Sequence, residues 1–171
     1  MHRRYIVFVG AALTLAALSN GSSAATGRAA PNCSLTPVGD GQNYDTHHFR
    51  GKVLYVDFWA SWCSPCAQSF PFMNALDREF RDRGLQMLGI NLDEEPEDAR
   101  AFLTRHPANF NVAFDAGGRC PQDFGVKAMP SSYLVDRQGN IRDVHLGFRR
   151  GEVDRLRALV EQLLAEGPAD E

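Results

Sequence analysis

The sequence has no basic stripe, no internal repeat and no low-complexity block. Its 18 lysines and arginines are outnumbered by 21 acids, and the two signs are mixed along the chain to a net charge of -3. Proteins that bind nucleic acid cluster their cations against phosphates, so no nucleic-acid partner is expected. The apolar run from Tyr5 to Leu18 is shorter than the roughly 20 residues that cross a bilayer comfortably. Cysteine is scarce, with four in the chain and none in the first 25 residues. A second Cys-x-x-Cys is missing, and so is a histidine pair at zinc spacing. His47 and His48 are sequence neighbours in a loop, poorly placed to join one site. No motif calls for a metal or a cofactor.

What is present starts with a three-part segment. His2, Arg3 and Arg4 are basic, Tyr5 to Leu18 is apolar, and Ser19 to Ala25 is small and polar. Ser22-Ser23-Ala24 and Ser23-Ala24-Ala25 both suit a signal peptidase. Residues 1–25 therefore read as a secretory signal peptide, with an uncleaved N-terminal anchor as the alternative. Only the second case brings the protein to a membrane. Either way the expected location is periplasmic or otherwise exported, where disulfides persist. Residues 26–34 read as a flexible leader, 35–166 as one domain with a full core, and 167–171 as a frayed tail.

Within the domain, Cys33 to Arg50 reads as an irregular cover with Pro37, Gly39 and Gly41. Val53 to Ala60 is branched and aromatic throughout, as in a strand buried on both faces. Pro65 to Arg83 reads as a helix with Cys66, Phe70, Met73, Leu76 and Phe80 on its core side, bent at Pro71 and ended by Gly84. Further elements are expected at 86–92 (strand), 96–105 (helix), 112–115 (strand) and 121–124 (short helix). A hairpin of 132–135 with 141–146 follows, then a helix over 152–164. Strands and helices that alternate and then give way to a hairpin and helix imply an α/β protein. Its central sheet is mixed and flanked by helices on both faces.

The chemistry sits in Trp62-Cys63-Ser64-Pro65-Cys66. The pair follows a buried strand and opens a helix. Cys63 is then at the helix N-terminus, where unpaired N–H groups and the helix dipole favour a thiolate. Pro65 suits the first turn because it lacks the N–H that goes unused there. Exposed Cys63 is expected to attack a disulfide, and the more enclosed Cys66 to resolve the mixed disulfide.

Val56-Asp57-Phe58-Trp59-Ala60-Ser61-Trp62-Cys63-Ser64-Pro65-Cys66 resembles the active-site segment of thioredoxins. Phe49-Arg50-Gly51-Lys52, Gly89-Ile90-Asn91-Leu92-Asp93 and the stretch 125–136 resemble the exported TlpA-like and ResA-like branch. The resemblance implies a thioredoxin fold over 35–166 and thiol–disulfide oxidoreductase activity. Its direction is that of a reductase of extracytoplasmic disulfides, such as those of apocytochrome c or copper-site cysteines. The implied partners are proteins carrying disulfides and a membrane thiol donor of the DsbD/CcdA type. The resemblance also implies a cis bond at Met129–Pro130, with Met129 able to pair with substrate backbone. Asp57 matches the family's buried acid, whose pKa desolvation should raise, so that its carboxylate can accept a proton from Cys66 near neutral pH. Its alternative is a half-exposed strand acid. Trp62 is expected to cover the cysteines and offer a docking surface, and Trp59 to pack in the core. Glu94 is a weaker candidate for a second acid, read mainly as part of a solvated helix start.

Cys33 and Cys120 match nothing in the motif. Their simplest reading is a structural disulfide, with free thiols or a redox role left open. Two rival functions remain. A thioredoxin-fold copper-binding chaperone would need a distal histidine. His145, read as a strand surface residue between inward Val144 and Leu146, is the late candidate. A thiol peroxidase would need Pro and Thr ahead of a lone cysteine, and these are missing.

Overall fold

The computed structural model describes residues 26–167. The expected signal segment, 1–25, and residues 168–171 of the expected tail lie outside the described residues. Seven strands form one sheet in the order β2-β1-β5-β4-β3-β6-β7. They are β1 (Ser34–Pro37), β2 (Tyr44–Asp45), β3 (Val53–Trp59), β4 (Leu85–Asn91), β5 (Asn111–Asp115), β6 (Ser131–Val135) and β7 (Ile141–Leu146). β3 pairs parallel with β4, and β4 with β5, while β6, β7, β1 and β2 join antiparallel. The sheet is mixed, and β3, flanked by β4 and β6, is buried at every position.

Alternation along β3 splits the core into two layers. Leu54, Val56 and Phe58 point to a layer with Leu35, Leu88, Ile90, Phe124 and Tyr133. Val53 and Tyr55 point to the opposite layer, where α1 (Ser64–Phe80) and α4 (Val153–Ala165) bring Met73, Leu76, Val160 and Leu163. Trp59, on that second face, packs with Phe70 of α1 and Phe102 of α2 (Pro96–Arg105). The short α3 (Cys120–Phe124) covers the first layer through Phe124. Close packing is tight over β4. A Cβ on Gly89 would lie 3.1 Å from Trp59 Nε1, so the absent side chain is what admits the indole.

Two expectations need correction. The stretch 33–50 is not an irregular cover, because it supplies the hairpin β1–β2 at one edge of the sheet. Four residues with one fully inward side chain, Leu35, are too few to show a period of two. Nor does the leader hang free. Gly27 N–H donates to Ile141 C=O at 2.7 Å, Ala30 N–H to Gly139 C=O at 2.8 Å, and Ile141 N–H to Arg28 C=O at 2.8 Å. These bonds dock residues 27–30 against the β6–β7 turn. The edge strand left backbone groups open there, and the small residues of the leader satisfy them.

Candidate active site

The end of β3 delivers the cysteines. Cys63 is the N-cap of α1, and its Sγ accepts a hydrogen bond from Cys66 N–H at 3.3 Å. Cys63 and Cys66 are joined, with sulfurs 2.01 Å apart. Cys63 retains only 5% of its surface and Cys66 none. The expected exposed nucleophile is thus nearly enclosed, because the indole of Trp62, not the sulfur, projects into solvent at 70% exposure. Cys63 is still the more accessible of the pair.

The Met129–Pro130 peptide bond is cis. Met129 and Val126 approach the disulfide from the far side of an open groove of about 570 Å³, whose other walls include Trp62, Pro65 and Leu92. The groove is largely apolar, with Lys127 at its rim. A larger cavity of about 710 Å³ lies elsewhere, beneath the β1–β2 loop around Tyr44, His48 and Lys52, and holds neither cysteine. Asp57 is fully buried on the α1 side of β3, two residues before Trp59, which shares a core cluster with Cys66. Its Oδ1 accepts a hydrogen bond from Ser132 Oγ at 2.6 Å, and its Oδ2 has no partner.

The sequence profile of the Redoxin family matches residues 25–160. The chain belongs to that family. The thiol-disulfide oxidoreductase ResA of Bacillus thuringiensis subsp. konkukian (strain 97-27) is 31% identical to it over 115 residues, which are 67% of this chain and 66% of that relative. The thioredoxin-like protein YneN of Bacillus subtilis (strain 168) is 32% identical over 124 residues, 71% of each chain. A crystal structure from Chlorobium tepidum, named for the thiol:disulfide interchange protein DsbE, superposes with a TM-score of 0.77 at 40% identity. The match covers 81% of this chain and 97% of that one. This redoxin is a ResA-like thiol–disulfide oxidoreductase of the thioredoxin superfamily.

In the redoxin site, burial pushes the Asp57 carboxyl up to about 7, partly offset by the Ser132 hydroxyl. An acid raised in the folded state holds a proton that the unfolded chain has released. Its stabilising effect is complete below about pH 4 and is lost as pH climbs to about 7. Asp57→Asn should abolish this slope. The melting temperature of the wild type should fall relative to the variant between about pH 4 and pH 8, read by calorimetry. A difference that stays constant over that range refutes the buried ionisation.

Asp93 is a site residue whose individual role went unread in the sequence. Its carboxylate accepts from Ser61 N–H at 3.0 Å, from Ser61 Oγ at 3.0 Å and from Asn91 Nδ2 at 2.7 Å. It thereby fixes the backbone just ahead of Trp62-Cys63. Its neighbour Glu94 is exposed and makes no such contact.

His145 is the main correction in this redoxin. It is 5% exposed, not a surface residue, while Leu146 is 52% exposed. The cause is that helices cover this face of the sheet. His145 opposes Ser132, which opposes Asp57, on the face packed by α1 and α4, whereas Leu146 falls on the other face, where it is exposed. The distal histidine of the copper-chaperone reading is consequently packed beside Glu152 of the turn before α4, Nε2 to Oε2 3.5 Å. Among the described residues, no three histidine, cysteine, aspartate or glutamate side chains group to hold a metal.

Cys33 and Cys120 are joined, with sulfurs 2.00 Å apart, and both are buried. The bridge ties the start of β1 to the start of α3, whose following loop carries Val126 and Met129 into the groove.

Proposed function

We propose that the protein works outside the cytoplasm as a reductase of protein disulfides, with Cys63 as nucleophile and Cys66 as resolving thiol. The observation that supports this is the placement of Cys63 at the N-cap of α1, facing a groove walled by Met129, the residue before cis-Pro130. In the reduced enzyme the Cys66 N–H and the helix N-terminus favour the Cys63 thiolate. A client strand lying along the groove pairs with the Met129 backbone, and Trp62 offers it an apolar seat. Cys63 attacks the client disulfide, and Cys66 then attacks Cys63 as Asp57 takes its proton. The open, shallow groove favours a protein segment over a small molecule, and apocytochrome c or copper-site cysteines are clients of the right chemistry. A membrane thiol donor of the DsbD/CcdA type would return the enzyme to its dithiol. Residues 1–25 would direct export, and no helix among the described residues is long and apolar enough to cross a membrane.

Trapping tests the reading. Cys66→Ser should accumulate mixed disulfides on Cys63 in the exported protein, visible as reductant-sensitive adducts whose partners mass spectrometry identifies. No adducts would sink it. The direction is tested by titration against glutathione, where a potential near the about -120 mV of strong oxidants would overturn the reductase assignment.

A further inference from the structure

The groove beside the cysteines has two walls of different make. One comes from the end of β3 and the start of α1 and carries Trp62 and Cys63. The other comes from α3 and the loop behind it and carries Pro121, Val126 and Met129. β3 and α1 are long elements set in the core. By contrast, α3 has only five residues, too few to hold a helical shape by themselves in water. Whatever fixes α3 from outside therefore fixes the wall that a client meets.

Leader residues grip α3 at both ends. At its start, Cys120 is bonded to Cys33. At its finish, helix geometry leaves carbonyls without partners inside the helix. Those of Pro121 and Gln122 accept from Val126 N–H at 2.8 Å and Gly125 N–H at 3.0 Å. Those of Asp123 and Phe124 accept from the Arg28 guanidinium, at 3.3 Å and 2.9 Å. A guanidinium suits this place, because its fork of donors reaches two acceptors at once and a cation is favoured beside a helix's last carbonyls. Both grips work from a fixed base. The Arg28 C=O accepts from Ile141 N–H at 2.8 Å, and Gly27 and Ala30 N–H donate to Ile141 and Gly139 C=O. Cys33 N–H donates to Thr46 Oγ1 at 3.0 Å, and Cys33 C=O accepts from Thr46 N–H at 3.2 Å.

We propose that Arg28 is a positioning residue for client binding, holding the end of α3 so that Val126 and Met129 keep their place across from the cysteines. This rests on the assignment of the groove as the client site and of Cys63 as the nucleophile. Arg28 acts through the Asp123 and Phe124 carbonyls and the chain that follows them. It does not duplicate the disulfide, which holds the other end of α3. Removing the guanidinium leaves Cys120 bonded and Phe124 packed against Phe58 and Tyr133. The fold then persists while residues 125–129 gain freedom. A protein client must order that loop before it can pair with Met129, so the loss falls on binding. A small disulfide that meets Cys63 alone has no need of the second wall.

The test sets two substrates against the full chain: insulin, a protein disulfide, with dithiothreitol as electron source, and oxidised glutathione, which oxidises the reduced chain directly. Arg28→Ala should raise KM for insulin about fivefold, while kcat and the rate with oxidised glutathione stay within about twofold. Arg28→Lys, whose ammonium donates to carbonyls of the same kind, should recover most of the difference. Amide hydrogen exchange in Arg28→Ala should quicken at residues 126–129 and stay unchanged along β3. Both variants should fold, since Arg28 is exposed. An unchanged KM for insulin, or exchange at residues 126–129 equal to wild type, would overturn the proposal. So would an equal loss of rate with both substrates, which marks a merely structural role. A wild type that reduces neither substrate overturns the cysteine assignment and the proposal with it, whereas failure of the proposal alone leaves the wild type active on both.

Discussion

Cys63→Ser should eliminate disulfide exchange, with a loss on the order of 10⁴-fold or more in the reduction of a disulfide-bonded protein. The argument is one of chemistry rather than packing. A serine hydroxyl fits the N-cap of α1 as well as sulfur does and can accept the Cys66 N–H, so the fold should survive with its melting temperature little changed. What disappears is the nucleophile. Cys66 cannot replace it, because that sulfur has no exposed surface and lies inside the cluster of Trp59, Phe70 and Phe102. Alkylation of the reduced protein gives the companion measurement: the wild type should react first and mostly at Cys63, and Cys63→Ser should react slowly throughout. Substantial residual turnover in Cys63→Ser, or equal alkylation of the two cysteines, would defeat the assignment.

Replacing both Cys33 and Cys120 with alanine should destabilise the oxidised protein by about 4–5 kcal/mol, measured by chemical denaturation. The bridge joins residues 87 apart in sequence, so in the chain-entropy account its removal frees a very large loop of the unfolded chain. By contrast, Cys63–Cys66 spans three residues, and opening it should change stability far less. This contrast matches the division of labour between the two pairs. One is buried between β1 and α3, with Pro121 beside it lining the groove. The other must open in every cycle. The double variant should also weaken client binding, because α3 leads into the loop carrying Val126 and Met129, and KM should rise more than kcat falls. A stability loss below about 1 kcal/mol would show that the bridge is not a staple.

The sequence made the redox centre legible because its parts are contiguous. A buried strand, two cysteines and a first-turn proline follow one another within 56–66, and each constrains the next. The strand and helix limits from Val53 to Arg105 were readable within a residue or two for the same reason, since period and caps act locally. Residues brought together by pairing register were not readable. Ser132 is one of two adjacent serines after Pro130, and only the register of β3 with β6 sets it against Asp57. The burial of His145 is not readable from alternation with Val144 and Leu146, because alternation separates two faces without telling which of them α1 and α4 cover. Asp93 lay among Glu94 and Glu95 as one acid of three, and its four contacts depend on where β4 ends relative to Ser61.

The docked segment 27–30 lies at the end of the sheet where β6 turns into β7, while Cys63 emerges at the end where β3 finishes. Residues 27–30 therefore sit at the pole opposite the disulfide. A tether attached there would hold the protein by its back and leave the catalytic pole pointing outward, free to meet large partners. Had the first residues docked beside Trp62 instead, attachment to any surface would have shadowed the groove.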